Sequence, residues 1–355
     1  MADTFLISKL LWSIIQKFLK LNQTMLGREM KEENTVVISH MINEIHNGPL
    51  VWLNVKQGDL LIAGVGGLGC NWAQNAHSRC PRLADLLLID ADEQSFLSSA
   101  EAHCLHLDAA GDGRGAAALP LLAAHRLRDG LDSIRPLLEA AEMVVILTGL
   151  GGGVGSGVAS EIAQIAQSSN CLVVSVASLP FAEQPVRMQL AKSAIEDLDN
   201  NSHVCIRISL ERLAWQARQR ELEWQSGAGW IEELVEGLVS TLARVGKINL
   251  DLMDLRSVVG HEGNATLIVG TGTTRDPKGV VQIARESPLY DLNVDGASGC
   301  LIQVEGGPDM TLSHLNEVTD EFVSNLSPNC QVIMGARVSE GLIGKLRITA
   351  VVSGL

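Results

Sequence analysis

The stretch GLGGGVGSG (Gly149 to Gly157), directly after the apolar run MVVILT (143–148), decides how the chain is read. Six of its nine residues are glycine. Glycine costs roughly 1 kcal/mol relative to alanine inside a helix or strand, so such a cluster belongs to a loop with a task. Two tasks are common: a tight surface turn, or a backbone nest whose N–H groups meet phosphate oxygens. The preceding run reads as a buried strand, and GVASEIAQIAQSS (157–169) reads as a helix entered at about Val158. A helix N-terminus offers unpaired N–H groups and a partial positive charge, which favours phosphate.

Working outward, apolar strands alternate with helical segments. Before the nest lie LLIAGVGG (60–67) and ADLLLIDAD (84–92); after it lie CLVVSVASLPF (171–181) and HVCIRIS (203–209). This alternation predicts an α/β protein with a parallel sheet covered on both faces. A long helical segment, AGWIEELVEGLVSTLAR (228–244), leads to further strands: ATLIVGTG (265–272), GCLIQVEGG (299–307), QVIMGARV (331–338) and GKLRITAVVSG (344–354). The helices KGVVQIARES (278–287) and LSHLNEVTDEFVSNL (312–326) lie among them. The expected architecture is a Rossmann-like domain, a long central helix and a second, smaller α/β domain. The boundaries fall at 1–34 for an N-terminal helix and linker, 35–217 for the first domain, 218–248 for the connecting helix and 249–355 for the second domain.

The chain has 355 residues, 46% of them hydrophobic, enough for two packed domains. No apolar run is long enough for a membrane-spanning helix. The net charge of −14 argues against non-specific nucleic-acid binding. Seven scattered cysteines without C-x-x-C spacing fit a reduced cytoplasm better than a disulfide framework. TVVISHMI (35–42) and LVWLNVK (50–56) flank the turn signal HNGP (46–49) and read as a hairpin.

Residues 5–21, FLISKLLWSIIQKFLKL, repeat with helical period. Lys9, Ser13, Gln16 and Lys20 form one polar stripe, and the stretch holds three lysines and no acid. Such a helix lies in a membrane interface or packs on protein. In the first reading Phe5, Leu6, Lys9, Leu10, Trp12, Ile14, Lys17 and Phe18 bind lipid, on the inner face of the membrane.

Ligands of open parallel sheets bind at the carboxyl ends of the strands. Three glycine-rich loops lie at such ends: GVGGLGCN (64–71), AAGDGRG (109–115) and the nest itself. Gly64, Gly66 and Gly69 alone spell G-x-G-x-x-G, with Asp90 about 20 residues on, the dinucleotide fingerprint of an oxidoreductase. That reading leaves the second nest unexplained. A P-loop is excluded because G-x-x-x-x-G-K-[ST] is absent.

GLGGGVGSG resembles the tubulin/FtsZ signature GGGTGTG or GGGTGSG, with Val154 in place of the first threonine. GVGGLGCN resembles the first phosphate loop of FtsZ. LPFAEQPVRM (179–188) resembles its segment with a ribose-binding glutamate and an arginine four residues later, here Glu183 and Arg187. NLDLMDLRSVV (249–259) resembles the synergy loop, and SPLYDLNVDGASGCLIQVEGG (287–307) the second domain. The matches run in order from about residue 60 to 355.

The resemblance implies a GTPase that polymerises head to tail with itself, bound to GTP or GDP with Mg²⁺. It implies phosphate contacts from Gly66, Gly67, Gly69 and Asn71 in the first loop. Gly151, Gly152, Gly153, Gly155, Ser156 and Gly157 of the nest do the same. Gly113 and Arg114 lie where the family senses the γ-phosphate, Arg114 being either a phosphate ligand or a plain surface arginine. Trp224 falls where a phenylalanine stacks on guanine, and an indole stacks as well. Gly229 falls where the family has a guanine-pairing aspartate, so an acceptor is missing there. Asp90 and Asp92 either approach Mg²⁺ through water or cap the next turn.

Asn249, Asp251 and Asp254 are implied to position water on the nucleotide of the next subunit. Read from the residues alone, NLDLMD is an N-cap and first helical turn, and it is the resemblance that turns the reading toward catalysis. The alternative to a GTPase is a nucleotide-bound filament scaffold with little hydrolysis, for which Val154 and Gly229 leave room. The expected roles are division or another membrane remodelling. The globular pattern runs to Leu355 without the family's C-terminal adaptor peptide, which leaves the basic N-terminal helix as the expected membrane contact.

Overall fold

In a computed structural model of the chain, residues 58–96, 101–107, 118–244, 246–261, 263–289 and 294–355 are described. The amphipathic stretch 5–21, the linker, the hairpin at 35–56, Gly113 and Arg114 lie outside them.

The first layer is a six-stranded, all-parallel sheet. Its strands are β1 (Leu60–Val65), β2 (Asp85–Asp90), β3 (His103–His106), β4 (Met143–Gly149), β5 (Leu172–Leu179) and β6 (Val204–Ser209), in the spatial order β3-β2-β1-β4-β5-β6. The helices are α1 (Gly66–Arg79), α2 (Pro120–Ala140), α3 (Gly153–Ser168), α4 (Pro185–Asn200), α5 (Leu210–Gln219) and α6 (Trp230–Ala243).

Strand alternation divides the apolar side chains between two cores. Ile62, Leu88, Val145, Leu147, Val174 and Ile206 face one side, where they meet Trp72 and Ala73 of α1, Leu213 of α5 and the apolar face of α6. Ala63, Leu87, Ile89, Val144, Ile146 and Val173 face the other, against Leu127 of α2, Ile162 of α3 and Leu198 of α4. A sheet covered on both faces explains why β4 and β5 read as unbroken apolar runs.

The second layer is a four-stranded sheet of β7 (Ala265–Thr273), β8 (Gly299–Gly306), β9 (Gln331–Val338) and β10 (Lys345–Ser353), in the order β7-β10-β8-β9. β10 runs antiparallel to both neighbours, while β8 and β9 are parallel. The helices α7 (Leu252–Val259), α8 (Pro277–Arg285) and α9 (Leu312–Val323) belong to this half. The expected α/β architecture is therefore present, with a mixed second sheet.

α6 packs on α1 and also on β7 and β10, so the first core continues through it into Val269, Ile302 and Ile348 of the second sheet. A buried ionic chain reinforces that junction. Arg347 on β10 donates to Glu305 of β8 at 2.9 Å and to Glu236 of α6 at 3.1 Å. Arg337 on β9 pairs with Glu305 and donates to the Ser240 carbonyl of α6 at 2.9 Å.

Two local features depart from the sequence reading. β3 has only four residues, HCLH, and lies at the sheet edge, where neither length nor apolar content marks it. The helix after the nest begins at Gly153 rather than near Val158, and α1 begins at Gly66. Gly66, Gly67, Gly69, Gly153, Gly155 and Gly157 thus lie in the opening turns of helices, while Gly151 and Gly152 turn the chain ahead of α3.

Candidate functional site

All six strands point the same way, so their carboxyl ends share one edge. The strand order reverses between β1 and β4, and a crevice opens outside such a switch point. Here it is a cavity of about 650 Å³.

Its floor is two helix N-termini. α1 follows Val65, and α3 follows Gly152. Neither helix has a side-chain cap, and neither carries an acid in its first turn. Capping is the ordinary way to satisfy these N–H groups, so leaving both ends bare in one cavity suits an anion. The two ends nearly touch. A Cβ on Gly66 would lie 3.2 Å from the Gly155 nitrogen, and Gly66 itself has φ +76, which favours glycine. Gly155 is just as confined, since a Cβ there would come within 2.1 Å of the Gly149 carbonyl.

Of the residues singled out in the sequence, Gly66, Gly67, Asn71, Gly152, Gly153, Gly155, Arg187 and Trp224 line the cavity, as does Asp92. Gly69, Gly151, Ser156, Gly157 and Glu183 are not on its wall, and neither is Gly229. Gly69 and Gly157 are glycine for packing: a Cβ would strike the Leu147 carbonyl from the first and the Pro120 carbonyl from the second. The Ser156 hydroxyl accepts the Gly151 N–H at 2.8 Å and so closes the nest from within. Glu183 is exposed. Gly229, with φ +73, caps the start of α6.

The wall opposite β2 is aromatic. Phe181, just past β5, meets Trp224 edge to face, with ring centroids 5.3 Å apart. Phe181 was not foreseen, because 43 residues separate it from Trp224 and only the fold brings them together. Asn71 of α1 ties this wall to the nest by donating to the Gln225 carbonyl at 2.9 Å.

On the β2 side, Asp90 accepts from the Ala91 N–H at 2.8 Å and from the Ser95 hydroxyl. Burial pushes its carboxyl above the usual range, more strongly than these two hydrogen bonds lower it. Asp92 accepts from the Gln94 N–H at 3.0 Å and is exposed. No group of three metal-ligating side chains occurs among the described residues.

Asn249, Asp251 and Asp254 lie far from this cavity. Arg256, on the same helix as Asp254, donates to the carbonyl of Asn170, just past the C-terminal end of α3. The nest is at the N-terminal end of α3, and sixteen helical residues span about 24 Å. Asp251 is the N-cap of α7 and Asp254 its third residue, joined in a capping box. The Asn249 side chain accepts the Gly246 N–H at 2.6 Å.

Comparison with known proteins accords with this geometry. Residues 59–216 match the family model described as Tubulin/FtsZ family, GTPase domain. Residues 263–355 match the FtsZ family, C-terminal domain. The chain is 30% identical over 344 residues to the cell division protein FtsZ 1 of Methanocaldococcus jannaschii, covering 96% of this chain and 93% of that one. It is 29% identical over 335 residues to FtsZ 1 of Archaeoglobus fulgidus, covering 93% and 91%. Among solved structures, an empty FtsZ dimer from M. jannaschii superposes with a TM-score of 0.74 at 27% identity, covering 92% and 93% of the two chains. CetZ2 of Haloferax volcanii superposes at 0.68 with 16% identity, a likeness of fold. The two halves built around α6 are therefore the GTPase and C-terminal domains of a member of the tubulin/FtsZ family.

Proposed function

We propose that this chain is a polymerising GTPase of the FtsZ type, in which the cavity holds GTP or GDP and the α7 end of one subunit completes the site of the next. The single observation that carries the reading is the separation of parts. The anion-binding helix ends lie at one end of α3 and the Asp251–Asp254 pair at the other, about 24 Å away, so one subunit cannot bring them together. The relative from M. jannaschii that superposes on this chain is described as an FtsZ dimer, which supports self-association.

In this reading the first-turn N–H groups of α1 and α3 take the phosphate oxygens, and Arg187 adds a charged donor. Trp224 and Phe181 receive the base. Asn249, Asp251 and Asp254 of the neighbour hold the attacking water. A Mg²⁺ ion would neutralise developing charge on the phosphates. Asp90 has both oxygens engaged, so Asp92, with one oxygen unengaged, is the side chain that fits such an ion, through water and the phosphates. We assign residues 35–217 to the nucleotide domain, 218–248 to the connecting segment and 249–355 to the activation domain. The lysine-striped segment 5–21 serves as a peripheral membrane contact on the cytoplasmic face, in the service of division or membrane remodelling.

Phosphate release from GTP across a protein concentration series tests the shared site. The expected result is turnover with a critical concentration, lost in Asp251→Ala. Turnover per subunit that is independent of concentration overturns the shared site. Filaments that pellet without turnover favour the scaffold, for which Val154, a side chain on the cavity wall with no hydrogen-bonding group, leaves room. Vesicle co-sedimentation with and without residues 1–22 tests the membrane contact, and equal binding overturns it.

A further inference from the structure

Among the described residues, no carboxylate lines the aromatic end of the cavity. The two acids that line the cavity, Asp90 and Asp92, belong to the nest end: Asp90 Oδ2 lies 3.5 Å from where a Cβ on Gly67 would stand. Glu183, two residues past Phe181, is exposed and off the wall of this cavity, as are Glu211 and Glu223. Glu211 accepts the Ala182 N–H at 2.7 Å and the Ser209 hydroxyl at 3.1 Å. Glu223 borders a separate hollow of about 410 Å³, which shares Phe181, Trp224 and Gln225 with the cavity.

Amides occupy that end instead. Gln225 follows Trp224 directly and lines the cavity, and its carbonyl is held by Asn71 at 2.9 Å. The residue is therefore anchored through its backbone. Its side chain is exposed and makes no hydrogen bond among the described residues.

The chemistry of these groups differs in a way that decides selectivity. Guanine presents two adjacent donors, N1–H and the 2-amino group, which a carboxylate accepts together. Adenine presents an acceptor at N1 beside a donor at N6, and a carboxylate repels that acceptor. A primary amide carries one acceptor and one donor and pairs with either base after a half-turn about its last torsion. Stacking on an indole or phenyl face adds affinity without choosing, since every base has a π-face.

We infer that Gln225 reads the base edge in this cavity and does so without strict choice, so that adenine as well as guanine triphosphates bind. The inference rests on the reading of the cavity as a nucleotide site.

The test is titration calorimetry of the full-length protein with GTP, ATP and ITP in Mg²⁺, for wild type, Gln225→Glu and Gln225→Leu. The expected wild-type dissociation constants for GTP and ATP lie within about tenfold of each other, because no carboxylate that would reject adenine lines the aromatic end among the described residues. ITP, which lacks the 2-amino group, falls in the same range. Gln225→Glu supplies the acceptor pair and widens the preference for GTP by at least about tenfold. Gln225→Leu weakens GTP and ATP alike. Melting curves serve as the folding control, and an exposed position is expected to leave them unchanged. A wild-type preference for GTP over ATP above about 100-fold overturns the inference and leaves the nucleotide site standing. No binding of any triphosphate overturns the nucleotide site and the inference with it.

Discussion

Asp251 and Asp254 hold each other. The Asp254 N–H donates to Asp251 Oδ1 and the Asp251 N–H donates to Asp254 Oδ2, both at 2.9 Å. Each carboxylate uses one oxygen to cap α7 and keeps the other unengaged among the described residues. The N-cap reading and the catalytic reading are therefore compatible, and they separate by substitution. Asp251→Ser keeps a capping oxygen and removes the charge. It is expected to melt as wild type while GTP turnover falls by roughly 100-fold or more. Asp251→Ala is expected to lose turnover and about 1 kcal/mol of stability as well. Thermal melts and phosphate release, run side by side, check both.

The nest glycines differ in what surrounds them. A Cβ on Gly155 would come within 2.1 Å of the Gly149 carbonyl, whereas one on Gly152 meets nothing within 4 Å. Gly155→Ala is expected to cost about 1 to 3 kcal/mol and to pry α3 from β4. Gly152→Ala is expected to fold normally and to weaken nucleotide binding, because its methyl group enters the cavity. Denaturant melts with and without GTP distinguish the two.

Glu305 is 1% exposed and neutralises Arg337 and Arg347, which are 5% and 7% exposed. Glu305→Gln leaves two buried guanidinium groups short of a partner and is expected to cost about 3 to 5 kcal/mol. The loss should persist at high salt, because a buried pair is poorly screened. Urea denaturation at two ionic strengths measures it, and a salt-sensitive loss would speak for an exposed pair instead.

His203 Nδ1 accepts the Val173 N–H at 3.0 Å, at the start of β5 and β6. Burial, and then the charge of Arg256, hold the ring below the ordinary 6.5. The folded state thus prefers the neutral ring, and between the lowered value and 6.5 the unfolded chain binds more protons. Stability supplied here is present above pH 6.5 and is lost as pH falls through the lowered value. The raised carboxyls of Asp90, Glu232 and Asp254 act with the opposite sign, from their ordinary values upward. The difference between wild-type and His203→Asn melting temperatures across pH 5 to 7 isolates the histidine, and it is expected to shrink as pH falls.

Much of the first sheet was legible. β1, β2, β4, β5 and β6 are apolar runs because both faces of the sheet are covered, and the cavity follows from glycines at two strand ends. β3 was not legible, because a four-residue edge strand with two histidines has no apolar face to declare it. Gly69 and Gly157 were read as phosphate ligands because a sequence cannot tell a glycine that admits a ligand from one that admits a neighbouring carbonyl. Val154 remains in the nest, 7% exposed, without a structural reason for its replacing a threonine.

The order of apolar runs, the glycine clusters and the N-x-D-x-x-D spacing by themselves pointed to the family, the parallel sheet and the edge at which the cavity opens. These are local properties, written in neighbouring residues. Tertiary structure alone decided which glycines face the cavity, that Phe181 meets Trp224, that Gln225 rather than an acid stands at the aromatic end, and that Asp251 lies a helix length from the nest. Each of these joins residues tens of positions apart, and their distance depends on how helices and strands pack rather than on spacing along the chain.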